Sequence, residues 1–192
     1  MDNSQACTDT AIFLLELYRK ALSLKEKELY EFFLDRAVNI TRSKIGFFHF
    51  VGGDQKTIIL TSWNKEALKN CTANYDTHYP IEQAGNWADC VRLKQPVAYN
   101  DFEKSPNQKG LPSGHVPIKR LLTIPLLEED NVYAIFGVGN KEGLYTEVDS
   151  VQLNLIGYEL NKIMRQRLAE AQIRESREKY HSLFENMIDG FD

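Results

Sequence analysis

Between Gly157 and Gly190 the chain holds neither glycine nor proline, and the helical pattern that opens near Glu147 meets no stop signal before Gly190. At 1.5 Å per residue a helix of about 40 residues reaches about 60 Å. A chain of 192 residues cannot pack all of that against one domain, so part of the helix is expected to project. Its apolar residues, among them Val151, Leu155, Tyr158 and Ile163, thin into the charged run Arg165 to Lys179. Leu153, Ile156, Leu160, Ile163, Met164, Leu168 and Ala171 recur at spacings of three and four. That stripe predicts a parallel coiled-coil homodimer with Ile156, Leu160, Ile163 and Met164 in its seam, although Arg167 interrupts one register.

Upstream, the apolar spacing predicts two amphipathic helices, Thr8 to Leu24 and Glu26 to Ile40. Lys44 to Val51, dense in aromatic and β-branched residues, and Thr57 to Trp63, parted by Gly52-Gly53-Asp54, predict a hairpin. A short helix at Lys65 to Cys71 and an extended segment at Tyr79 to Glu82 follow, then a helix at Gly85 to Leu93, stopped before Pro96. Pro96 to Tyr99 reads as a strand, Asp101 to Pro117 as a long irregular loop, and Arg120 to Leu127 with Val132 to Val138 as a second hairpin. The class is α+β: a mainly antiparallel sheet of about six strands flanked by helices.

The composition, 43% hydrophobic and 26% charged, is that of an ordinary globular chain. A formal charge of -4 and the lack of a Lys/Arg cluster argue against a nucleic-acid partner. No apolar run approaches the roughly 20 residues of a membrane span, so the chain is expected to be cytoplasmic. Cys7, Cys71 and Cys90 are scattered and odd in number, which suits a reducing compartment and offers no structural zinc site; no metal site is expected. Gly52-Gly53-Asp54-Gln55 reads as a glycine-rich turn, not as cyclase machinery. No catalytic constellation stands out.

The stretch Tyr79-Pro80-Ile81-Glu82-Gln83-Ala84-Gly85-Asn86-Trp87-Ala88-Asp89-Cys90-Val91-Arg92, the run Gln95 to Asp101 and the run Gly110 to Arg120 resemble GAF domains of multi-domain prokaryotic sensor histidine kinases. The resemblance covers residues 25–165, after an N-terminal helix at 1–24 and before a linker helix at 166–179. Glu175 to Phe191 resembles the opening of a PAS domain, so residues 180–192 are taken as the start of a second module, and His181 as part of that opening, not a phosphoacceptor. The resemblance implies a non-catalytic sensor that signals through the C-terminal helix to PAS and kinase domains further along the parent chain.

It also implies a pocket between the sheet and the inserted helix and loop. The candidates are Phe48, His49, Trp87, Cys90, Tyr99, His115 and Phe136, which would suit a small or flat organic ligand of unknown identity. Phe48 and His49 point to opposite faces of one strand, and the sequence leaves open which faces the pocket. Cys90 or His115 would serve a haem or a bilin, as in some relatives, and Cys71 with Cys90 would serve a reading as a GAF-fold methionine sulfoxide reductase. Asn140-Lys141 with Tyr145 and Asp149-Ser150 resembles the motif of cyclic-nucleotide-binding GAF domains, with Tyr145 for Phe and Ser150 for Glu. A purely structural Lys141–Asp149 ion pair, locking strand to helix, accounts for the same residues without a ligand.

Overall fold

The computed structural model describes residues 3–64, 67, 78–106, 108–109 and 115–189. Two helices come first, α1 (Asn3–Ala21) and α2 (Glu26–Ile40). The hairpin β1 (Ile45–Val51) and β2 (Thr57–Trp63) follows, then the short β3 (His78–Pro80). A 3-10 turn (Asn86–Ala88) leads into the five-residue α3 (Asp89–Leu93). After β4 (Val97–Tyr99), the hairpin β5 (Leu121–Glu128) and β6 (Asn131–Gly139) precedes the 43-residue α4 (Glu147–Asp189). The expected helix at Lys65 to Cys71, with Cys71 itself, lies outside the described residues apart from Ala67.

The six strands form one antiparallel sheet in the order β3-β2-β1-β6-β5-β4. The central strands β1, β6 and β5 read as nearly continuous apolar runs because both their faces are covered. The edges are three-residue strands, too short to template another chain. On one face lie α1, α2 and the first half of α4 around the largest core, where Tyr30 stacks on Phe48 and Phe33 meets Phe136 edge-on. The other face, called distal below, carries the 3-10 turn, α3 and the loops over two smaller cores.

The Gly52 to Gln55 turn is structural. Asp54 Oδ1 accepts the N–H groups of Lys56 and Thr57, and the Gln55 amide donates to and accepts from the backbone of Val132, joining the two hairpins at 2.9 Å on each side. α1 belongs to the same core as the rest, with Phe13 and Leu17 fully buried. It runs parallel to α4: Gln152 Nε2 donates to the Ala6 carbonyl and to Thr10 near the start, and Arg167 caps the carbonyls of Ala21 and Leu24 at the end. Arg167, which interrupts the apolar stripe, is thus the cation at the negative end of α1. From Leu168 to His181 the helix is exposed. Among the described residues no helix is long and apolar enough to cross a membrane.

Candidate functional site

Strand alternation decides the membership of the distal face. Phe48 turns to the helices, so Phe47 and His49 turn away from them. The bulge in the β1–β2 pairing between Phe48 and His49 brings Trp63, at the end of β2, beside the imidazole. Trp87, carried in by the 3-10 turn, closes the group. Phe47 stacks on His49 with ring centroids 4.9 Å apart, Trp63 meets His49 edge-on at 5.0 Å, and Trp87 meets both His49 and Phe47 edge-on at 6.1 Å. Gly137 makes room for this: a Cβ there would lie 2.6 Å from the Phe47 ring.

His49 is 4% exposed, and burial pulls its pKa down to about 3. The ring is neutral, and Nδ1 accepts the Thr61 N–H at 3.1 Å, so Nε2 carries the proton. The neutral imidazole, with its proton on Nε2, is therefore set among aromatic rings on the distal face.

Beside it, Asp89 organises the segment that covers the sheet. Its carboxylate accepts from the Tyr99 hydroxyl and from Arg92. The same guanidinium donates to the carbonyls of Ile81 (2.6 Å), Ala84 and Gly85 (3.0 Å), so one charged fork fastens the loop ahead of the 3-10 turn. Burial, then the Asp89 carboxylate, pushes the Tyr99 hydroxyl up to about 12, so it stays a donor.

The seven pocket candidates divide. His49, Trp87, Cys90 and Tyr99 belong to the distal face. Phe48 and Phe136 are corrected: both are fully buried on the helix face, where strand pleating directs them, and neither reaches the distal side. His115 sits half-buried on the loop before β5, with Nδ1 donating to the Val116 carbonyl at 2.7 Å. Cys90 is fully buried, and burial pushes its thiol up to about 12, so it behaves as a small apolar side chain, neither an accessible nucleophile nor a ready thiolate ligand. Phe47, Trp63 and the Asp89–Arg92 pair escaped sequence reading. Strict alternation from His49 points to Phe47, but the bulge that admits Trp63 has no sequence mark.

The Asn140 to Asp149 segment forms a junction. Lys141 Nζ lies 2.6 and 2.7 Å from the two oxygens of Asp149, whose side chain also accepts the N–H and hydroxyl of Thr146 at the start of α4. Asn140 holds the backbone of Lys119 and Pro117, and the Tyr145 hydroxyl meets Ser43. Each of these side chains is engaged within the chain.

The proposed dimer seam is corrected as well. Ile156 and Leu160 are fully buried, Ile163 is 6% exposed, and Met164 packs half-buried against the same core. The stripe read from the sequence is the face by which α4 docks on its own sheet and on α1.

A six-stranded antiparallel sheet, helices on one face and an inserted turn and loops on the other, defines an α+β domain. The same fold is found in the GAF domain of a phosphoenolpyruvate-protein phosphotransferase from Coxiella burnetii, with TM-score 0.70 and 11% identity over 86% of this chain and 98% of that one. It is found also in a free methionine-R-sulfoxide reductase from Neisseria meningitidis, with TM-score 0.63 and 14% identity over 81% and 89%. The GAF domain family model matches residues 23–164, and the chain belongs to the GAF family. It is 33% identical over 150 residues to the methyl sulfide methyltransferase-associated sensor of Methanosarcina acetivorans, a match that covers 77% of this chain and 15% of that much longer relative.

Proposed function

We propose that this chain is the sensory module of a signal-transduction histidine kinase: a small molecule or a conformational change at the distal face alters the packing of α4. That helix, in a homodimer, passes the change to the PAS and kinase domains of the parent protein. The observation that carries the reading is α4 itself, one helix whose first half is built into the core and which continues, exposed, from Leu168 to His181. The likeness to a relative named as a sensor supports the sensory role.

A short physical path connects the two ends. Phe47, in the distal aromatic group, lies over Gly137 of β6; the preceding residue, Phe136, points through to the other face, where a Cβ on Gly157 of α4 would lie 2.5 Å from its ring. Glycine in mid-helix costs about 1 kcal/mol relative to alanine. Here it lets α4 lie directly on the ring, so a shift of β6 is felt by the helix.

The test is direct. Protein purified from its native host is examined by absorption spectrum and mass for a bound small molecule, which is then stripped and restored. The chain has two tryptophans, and both touch His49, so their emission reports the site. The expected result is a ligand whose return shifts that emission and slows amide exchange in α4; unchanged exchange in α4 contradicts the proposal.

A further inference from the structure

Taking α4 as the output element of the proposed function, we infer that residues 161–167 are a releasable seat: a signal leaves the domain by lifting this segment off the β5–β6 turn, while α4 ahead of it stays docked.

The docked part of the helix is held by two kinds of contact. Ahead of Asn161 the hold is closed: Leu153, Ile156 and Leu160 are fully buried, Gln152 is bonded to Ala6 and Thr10 of α1, and the Lys141–Asp149 pair fixes the start. From Asn161 onward it is mostly polar. Asn161 Nδ2 donates to the Leu127 carbonyl across 3.3 Å, beyond the usual range for such a bond. Arg165 meets Glu128 at 3.1 Å, but the two side chains are 60% and 45% exposed, and pairs so open to solvent hold little. Arg167 donates to the carbonyls of Ala21 and Leu24, at a helix end where water satisfies such groups once the guanidinium leaves. The apolar contacts of the segment are Ile163 and the half-buried Met164.

Two buried polar atoms make the seated state costly. Asn161 Oδ1 and the Tyr133 hydroxyl are both closed off from water, and neither has a hydrogen-bond partner among the described residues. They belong to one corner: Tyr133 follows Val132, which pairs with Leu127, and its hydroxyl feels the Glu128 and Glu26 carboxylates. Burial, then those two charges, holds the hydroxyl pKa well above the ordinary tyrosine value, so it remains a donor. A buried donor or acceptor without a partner bears the full loss of its hydration. Lifting the segment returns both atoms to water and recovers that loss. Local opening of this kind takes the part of a structure with the fewest closed contacts first, and in α4 that part is the seat.

The turn that carries the seat is also gripped from the distal side. Lys94, just past α3, donates to the Asp130 carbonyl, and the Gln55 amide bonds both ways to Val132. Residues 127–132 therefore hold α4 on one side and are held by the covering segment and the first hairpin on the other. A shift of α3 moves the turn on which Asn161 and Arg165 rest.

Native-state amide exchange of the 192-residue chain tests the seat, in the wild type and in Tyr133→Phe, which deletes an unpaired hydroxyl and none of the bonds that hold α4. Residues 161–167 are expected to exchange together, at least about tenfold faster than residues 153–160, because a helix end off its support is marginal in water. Tyr133→Phe is expected to slow the exchange of residues 161–167 about tenfold, by removing the hydration loss of the seated state. Equal protection over residues 153–167, a smooth gradient running inward from His181, or exchange in Tyr133→Phe that is unchanged or faster each overturns the inference. Those results leave α4 free to transmit as a rigid rod; a ligand that leaves α4 exchange unchanged instead contradicts α4 as the output element and leaves the seat standing.

Discussion

At the residue scale the molecule turns on one alternation. Phe47 and His49 face the distal side, Phe48 faces the helices, and Gly137 beneath Phe47 keeps the two layers close. His49 carries a pH signature. Its folded-state pKa is about 3 and its unfolded value about 6.5, so below pH 6.5 the unfolded chain binds a proton that the folded chain refuses. Stability is therefore full above pH 6.5 and falls as the pH drops, by up to about 1.4 kcal/mol per unit. Urea midpoints of wild type and His49→Phe between pH 7 and 5 are expected to diverge, the variant losing less; parallel curves would show that the imidazole is not held neutral. Of the pocket candidates read from the sequence, His49, Trp87, Cys90 and Tyr99 lie on the distal face, because motif order fixes which segments cover the sheet. The sequence groups Phe48 and Phe136 with them because an aromatic on a doubly covered strand looks the same whichever face it serves.

At the scale of elements, the junction before α4 is the best-read feature. Lys141 and Asp149 lie eight residues apart with Asn140, Tyr145 and Thr146 around them, and the structure gathers these local polar groups into one cap. The Asp149 side chain is 2% exposed and that of Lys141 15%, so Asp149→Leu leaves a mostly buried ammonium without its counter-charge. A loss of about 3 kcal/mol is expected in urea unfolding. Lys141→Met is milder, because Thr146 still donates to the carboxylate. Losses below about 0.5 kcal/mol in both variants, the range of ordinary surface changes, would contradict the cap. The C-terminal helix was legible in its length and not in its faces. A stripe at spacings of three and four is what any core-facing helix presents, and the sequence carries no mark that separates a seam with α1 and the sheet from a seam with a second copy. Likewise the single helix expected over Gly85 to Leu93 divides at Ala88, where the 3-10 turn sets Trp87 into the aromatic group before α3 starts.

At the scale of the whole molecule, the sheet separates the distal face, proposed to receive the signal, from the helix proposed to transmit it. The covering loop is fastened by Arg92 and Asp89, β1 and β6 present side chains to both faces, and α4 begins in a hydrogen-bonded cap and is exposed from Leu168 to His181. The central claim is that the state of the distal face sets the disposition of the projecting half of α4. Nitroxide labels at Arg174→Cys, in the Cys7→Ser/Cys71→Ser background, report the distance between the two copies of the proposed homodimer by pulsed dipolar spectroscopy. Trp87→Ala disturbs the distal aromatic group from about 6 Å away from His49 without touching α4. With far-UV circular dichroism confirming that the variant is folded, the account predicts a shifted or broadened distance distribution in Trp87→Ala; a distribution identical to that of the parent would contradict it.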